Sequence, residues 1–324
     1  MTATRRTVLA ACAAAALAAP LGAAAQQGNW PNRPVKFVVP FSAGSGTDIL
    51  ARMLAEKLTT KYGQGFVVEN KQGADGIIGT EQIVRSTPDG YTIGVVPSSP
   101  IVMNPSLFKL PFDPQKDLLP VANIAGLGTV LGIQPNIPAK TVPEFVAHLK
   151  ANPGKLNYAA GSTFTHLAGE MFKFATGTSM QAVPYKGTAP MVTAMLGNEV
   201  EVIFDPFLGA QHMKSGRIRP LAVTSAKRSS VFPDLPTLEE LGYKGAVVET
   251  WIGVFAPVGT PPAIVNQLNA DVKAILDMPD VKKKLADLSY DAIVETPQQM
   301  QQRIVSDTAR WAKTVKDANF KVDK

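Results

Sequence analysis

The sequence predicts an α/β fold in two lobes, each a mostly parallel sheet flanked by helices, with a ligand cleft between them. Three observations predict it. Short apolar runs alternate with amphipathic stretches, as Val35–Val39 does with the stripe Ile49, Leu50, Met53, Leu54 and Leu58. A strand, a glycine-bearing loop and a helix follow one another near the start of the chain and again from Leu156. Two long extended apolar runs, Val121 to Ile133 and Val247 to Pro257, are long enough to pass between lobes and back. The boundaries that follow are residues 1–25 as a signal peptide, 26–126 plus 250–324 as lobe 1, and 127–249 as lobe 2.

The chain opens with Arg5 and Arg6, an alanine-rich apolar run from Val8 to Ala19, and Ala23-Ala24-Ala25 before Gln26. This is the order of a secretory signal peptide with an A-x-A cleavage site, by the general or the twin-arginine route, and it points to a bacterial periplasm. Cleavage after Ala25 removes Cys12, the single cysteine, so neither a disulfide nor a thiol nucleophile is expected in the mature chain. No later stretch of the sequence is long and apolar enough to cross a bilayer as a helix. The mature length, about 300 residues, suits two domains. With 45% hydrophobic and 18% charged residues, disorder is not expected. The net charge of +6 falls to +4 without Arg5 and Arg6, and only Lys282-Lys283-Lys284 clusters, as a solvated helix face does. Nucleic acid is therefore not an expected partner.

Pro40-Phe41-Ser42-Ala43-Gly44-Ser45-Gly46-Thr47-Asp48 joins the first strand to the first helix. Glycine lets the backbone turn sharply, and the unpaired N–H groups of a first helical turn converge with the positive end of the helix dipole. Such a loop suits an anion. The phosphate-loop pattern lacks its lysine, and the dinucleotide pattern has Ile49 where its third glycine belongs, so a carboxylate is the better candidate. The plain alternative is an ordinary connection capped by Thr47, with Asp48 favouring the dipole.

Phe66–Asn70 and Tyr91–Val96 follow as strands, with a loop through Gly73 and Gly76 and a helix from Ile77 to Arg85 between them. Ser98 and Ser99 lie just past the third strand, where ligands gather in open α/β sheets. A helix from Val142 to Ala151, capped by Thr141, precedes the second unit: strand Leu156–Ala160, loop Gly161-Ser162-Thr163-Phe164-Thr165, and helix His166 to Thr176. That loop is a second anion cradle. Phe164 either stacks on a ligand or packs under the helix, and His166 either contacts ligand or bonds locally. Further units run from Ala182 to Leu196, from Val200 to Asp205 and from Arg219 to Thr224, before helices Ala263–Leu276 and Pro297–Lys316. Tyr185 and Lys186 lie in a turn beside the cleft, the lysine either solvated or on a carboxylate, and Asp205 ends a strand as a cleft group or a cap. Trp251 is read as core or hinge packing.

The chain resembles the substrate-binding receptors of the tripartite tricarboxylate transporters, the Bug-type receptors. Nearly all of it is covered. The resemblance rests on Trp30-Pro31-Asn32-Arg33-Pro34-Val35, Pro40-Phe41 through Gly44 to Asp48 and Arg52, and Asn70-Lys71 with Gly73 and Gly76. Pro88-Asp89-Gly90-Tyr91-Thr92, Asn104-Pro105, Asp113-Pro114, Pro184-Tyr185-Lys186-Gly187 and Ala256-Pro257 with Gly259-Thr260-Pro261 complete it. It implies the type II periplasmic-binding fold and capture of a small carboxylate between the lobes through loop backbone groups. The ligand-binding set implied is Phe41, Ser42, Gly44, Ser45, Gly46, Thr47, Asp48, Ser98, Ser99, Gly161, Ser162, Thr163, Phe164, Thr165, His166, Tyr185, Lys186 and Asp205. It further implies a monomer with no cofactor or metal, delivering a di- or tricarboxylate, amino acid or aromatic acid to a two-component membrane permease. A receptor acting on a membrane sensor protein is the alternative. Two departures stand out: Ser45 replaces one member of the family's glycine pair, and the loop from Tyr158 to His166 is shorter, with Phe164 where small residues are common. An exported hydrolase is remote, since G-x-S-x-G and H-E-x-x-H are absent and the only histidines are His148, His166 and His212.

Overall fold

The computed structural model describes residues 30–317, so the signal peptide and its cleavage site lie outside the described residues. Both sheets lie in one compact unit that begins at Arg33. Among the described residues no helix is long and apolar enough to cross a membrane.

The first sheet is built on β1 (Val35–Val39), whose five residues are all buried except Lys36. A strand covered on both faces needs such an unbroken apolar run. Helix α1 (Gly46–Tyr62) packs across it with Leu50, Leu54 and Leu58 fully buried in one stripe. Full burial of each leucine contributes about 1.5–3 kcal/mol. The helix stops at Gly63, whose φ of +65° lets its N–H reach back to Thr59. β2 (Phe66–Asn70), α2 (Ile77–Val84) and β3 (Thr92–Pro97) follow, with β2 and β3 both parallel to β1. A short helix, α3 (Pro114–Asp117), leads to β4 (Leu118–Leu127). The sheet is completed by β10 (Thr250–Pro257), antiparallel to β3 and β4, and by β11 (Asp291–Ala292) on the edge of β4.

The second sheet holds β5 (Val130–Ile133), β6 (Asn157–Ala160), β7 (Gln181–Pro184), β8 (Val202–Asp205) and β9 (Arg219–Val223), in the order β7-β6-β8-β5-β9. Its helices are α4 (Val142–Ala151), α5 (Thr163–Thr176), α6 (Thr188–Leu196) and α7 (Ala210–Lys214). Thr141 caps α4 by accepting the Glu144 N–H, as the sequence predicts. Helices α8 (Pro262–Leu276), α9 (Pro279–Asp287) and α10 (Pro297–Asp317) close the chain, and the lysine run falls on α9, which sequence reasoning did not delimit. Both sheets are mixed rather than mostly parallel: β6 is parallel to β7 and β8, but β5 runs against β8 and β9. The physical reason is that each sheet accepts a strand arriving from the other, and such a strand enters against its neighbours.

The run from Val121 to Ile133 is not one connection. It divides into β4 and β5, and the passage between sheets narrows to Gly128 and Thr129. A side chain at Gly128 would place its Cβ 2.6 Å from the Ser225 backbone nitrogen, so the strands can approach only because position 128 has none. Beside it Thr129 and Thr224 are fully buried. The Thr129 N–H donates to Thr224 Oγ1 at 2.8 Å, the Thr224 N–H donates back to the Thr129 carbonyl at 2.8 Å, and Thr224 Oγ1 donates to the Val248 carbonyl at 2.7 Å. One hydroxyl thus ties the outgoing and returning strands. Trp251, 4% exposed, joins the core and donates its indole N–H to Asp307 at 2.9 Å, fixing α10 to the returning strand.

Asp205 ends β8 and is completely buried. Its Oδ2 accepts the Gly209 N–H at 2.8 Å and holds the turn that follows, while Oδ1 meets no donor. Burial pushes its pKa up to about 7, against the pull of the Gly209 and Leu208 N–H groups.

Replacing Thr224 by valine leaves the Thr129 N–H and the Val248 carbonyl buried without partners, and is expected to cost about 2–4 kcal/mol in denaturant unfolding. Thr224→Ser, which keeps the hydroxyl, is expected to lose far less; equal losses would contradict the role given to that hydroxyl. For Asp205 the folded state holds a proton that the unfolded chain releases above its ordinary carboxyl pKa. Stability is therefore expected to fall as pH rises toward about 7 and to level off above it. Asp205→Asn is expected to lose that part of the slope in unfolding measured at about pH 5 and about pH 8; an unchanged slope would contradict it.

Candidate functional site

The carboxyl end of β1 and the start of α1 are held by a braced loop. Ser45 is extended, with φ −66° and ψ 158°, and its Oγ accepts the Asp48 N–H at 3.3 Å. The helix cap is therefore Ser45 and not Thr47, because Ser45 is the last residue before helical geometry begins. Asp48 is buried, and its carboxylate turns away from the helix mouth. Oδ2 accepts the Gly44 N–H at 2.9 Å and Arg52 Nε at 3.0 Å, and Oδ1 accepts Asn70 Nδ2 at 2.9 Å. Burial would raise its pKa, but Arg52, Gly44 and Asn70 together hold it below the ordinary carboxylate value. The same amide of Asn70 also donates to the Phe41 carbonyl at 3.0 Å. Among the described residues the Gly46 and Thr47 N–H groups are left with no protein acceptor. They lie at the positive end of a helix of 17 residues, where an anion is favoured.

Two contacts fix the shape of this mouth. A Cβ on Gly46 would stand 2.0 Å from the hydroxyl of Tyr290, a buried residue of the turn before β11, so only glycine fits. Phe41 lies over the second turn of the lobe, where a Cβ on Gly76 would stand 3.0 Å from its ring. That turn is unusual. Ala74, Asp75 and Gly76 take φ of +46°, +49° and +85° in succession. Left-handed geometry is costly for the alanine and better tolerated by the short polar aspartate.

In the second lobe the sequence predicts a loop as far as Thr165, but α5 starts at Thr163. The reason is a capping box: Ser162 Oγ accepts the Thr165 N–H at 3.4 Å, and Thr165 Oγ1 accepts the Ser162 and Gly161 N–H groups at 3.1 and 3.0 Å. The Thr163 N–H faces Asp75 Oδ1 at 3.4 Å, across from the first lobe. Phe164 is 6% exposed and packs in the core, the packing alternative rather than the stacking one. His166 sits 3.9 Å from Glu170, which also takes Tyr158 Oη at 2.6 Å and Lys173 Nζ at 2.7 Å.

The remaining predicted residues spread around these loops. The Tyr185 N–H bonds the Ala160 carbonyl at 2.8 Å, which sets the Tyr185–Gly187 turn beside Gly161. A Cβ on Gly161 would lie 2.5 Å from the Gly187 carbonyl. Partial burial and the charge of Glu199 raise the Tyr185 hydroxyl pKa. Lys186 is exposed. Ser98 and Ser99 are buried, and Ser98 is spent on β10: its N–H reaches the Trp251 carbonyl at 2.7 Å and its Oγ pairs with Thr250 Oγ1 at 2.7 Å. Asp205 is occupied with its own turn. The contacts thus bring together Phe41, Gly44 to Asp48 and, through Gly76 and Asp75, Thr163. They do not bring Ser98, Lys186 or Asp205 to that point. Sequence reasoning missed Asp75, Tyr290 and the side chain of Asn104. An acidic residue set inside a glycine turn was the available signal for the first, and none existed for the second.

Comparison with known proteins places the chain. A family profile described as the tripartite tricarboxylate transporter family receptor matches residues 50–320. Protein BugT of Bordetella pertussis is 35% identical over 315 residues, covering 96% of this chain and 95% of BugT. Among solved structures, R. palustris Rpa4515 with adipate superposes with a TM-score of 0.85 at 35% identity, covering 90% of this chain and 99% of that one. MatC from Rhodopseudomonas palustris with bound malate gives 0.80 at 30% identity, covering 88% and 100%. The chain belongs to the tripartite tricarboxylate transporter receptor family, the Bug-type periplasmic solute-binding receptors.

Proposed function

We propose that this receptor captures a small organic carboxylate between its two sheets and delivers it to a tripartite tricarboxylate-type permease in the membrane. The observation that carries the reading is the open pair of N–H groups at Gly46 and Thr47, on a helix whose own first-turn carboxylate, Asp48, is already neutralised. A ligand carboxylate accepts both N–H groups and meets the positive end of α1, and each charge-assisted bond contributes about 1.5–3 kcal/mol. The second sheet presents α5 opposite, so closure about Gly128–Thr129 and the returning strand encloses the ligand from both sides. Adipate and malate on the two solved relatives support a carboxylate as the ligand class. The reading involves no covalent chemistry: the ligand is bound, enclosed and released.

The test uses the cap. Ser45→Asp keeps an excellent N-cap and adds one negative charge at the proposed carboxylate position, and Ser45→Asn is its neutral counterpart. In wild type, organic carboxylates are expected to raise the melting temperature, by about 2.7 kcal/mol of stabilisation at a hundredfold excess over Kd. Ser45→Asp is expected to weaken binding by calorimetry at least about tenfold, roughly 1.4 kcal/mol, with melting of the free protein nearly unchanged. Ser45→Asn should stay near wild type. Equal affinity in all three would move the carboxylate away from α1.

A further inference from the structure

Asp75 stands between the two sheets with an unmet need. Its Oδ1 faces the Thr163 N–H of α5 at 3.4 Å, while Oδ2 is shut from water and meets no donor. Beside it, Asn104 Nδ2 donates to the Asp75 carbonyl at 3.1 Å, and this leaves Asn104 Oδ1 equally buried and equally without a donor. No lysine or arginine among the described residues pairs with Asp75. Two buried oxygen atoms on adjacent side chains, Asp75 Oδ2 and Asn104 Oδ1, lack a donor, and the carboxylate, though Thr163 and Asn104 lean on it, has no compensating charge. Leaving such groups unmatched is costly, so the arrangement calls for a donor from outside the chain. A hydroxyl or a water supplies donors without charge. An ammonium supplies three donors and the charge.

The same carboxylate alters the second cradle. Thr163 is the first residue of α5, and its N–H is the group to which a second ligand carboxylate would turn. Asp75 already occupies that place from the first lobe, and it would repel another carboxylate there. Its left-handed backbone, with φ +49°, is what carries its side chain across. The desolvation that raises its pKa is relieved when a cation arrives.

We infer that Asp75 and Asn104 form an amine-recognising subsite opposite α1, so that this receptor prefers ligands with one carboxylate and one ammonium over dicarboxylates of similar length. The inference rests on the carboxylate reading above: the carboxylate goes to Gly46 and Thr47, the ammonium to Asp75 and Asn104. Asp75 is thus a specificity-determining residue, which selects by accepting one charge and rejecting the other.

Calorimetry on the purified receptor decides it with three probe sets: α- and ω-amino acids, dicarboxylates of two to six carbons, and the corresponding monocarboxylates. In wild type, at least one amino acid is expected to bind at least tenfold more tightly than every dicarboxylate. Asp75→Asn, isosteric and tolerant of left-handed backbone, is expected to lose at least tenfold for that amino acid. Asp75→Gly is expected to gain affinity for dicarboxylates, a gain that misfolding cannot produce. A dicarboxylate binding wild type as tightly as any amino acid, or Asp75→Asn with undiminished amino-acid affinity, overturns the inference and leaves carboxylate capture standing. If no organic acid of any set binds wild type, the carboxylate reading fails and the inference fails with it.

Discussion

The bracing of Asp48 is the interaction on which the site depends. A carboxylate in the first turn of a helix ordinarily turns inward to satisfy the free N–H groups there. Arg52 one turn along and Asn70 at the end of β2 hold it outward, on the Gly44 N–H, and Ser45 does the capping instead. The mouth of α1 therefore keeps its positive end. Three elements, β1, β2 and α1, must be in register for this to hold, and the parallel pairing that sets Val39 opposite Asn70 supplies the register.

The second constraint is narrow passage between the sheets. Gly128 allows close approach, and the Thr129, Thr224 and Val248 bonds convert two separate strands into one joint. It also explains the mixed sheets. Strand β4 leaves the first sheet through it and β10 follows the return, and the two pair antiparallel, while β5 pairs antiparallel to β8 and β9 in the second sheet.

Local pattern made much of this legible. The apolar run of β1, the glycines after it and the leucine stripe of α1 are all short-range signals, and they located the first helix mouth correctly. The sequence alone offers Thr47 as the cap and the structure uses Ser45, since serine and threonine are chemically alike as caps and only the backbone angle separates them. The first turn of α5 reads as loop in the sequence although Ser162 and Thr165 stand at capping-box spacing. Other features had no local signal. Thr129 meets Thr224 across 95 residues and Asp75 meets Thr163 across 88, and sheet direction is decided by the same remote pairings. Why only glycine fits at position 46 became visible only with Tyr290 behind it.

The proposed capture sets the ligand carboxylate on two backbone amides of α1. Amide nitrogen and proton shifts recorded while a binding organic acid is titrated in report on it directly. Gly46 and Thr47 are expected to move most, downfield in the proton dimension, as their N–H groups gain a charged acceptor. Saturable binding with both amides unmoved and the shifts concentrated elsewhere would contradict it.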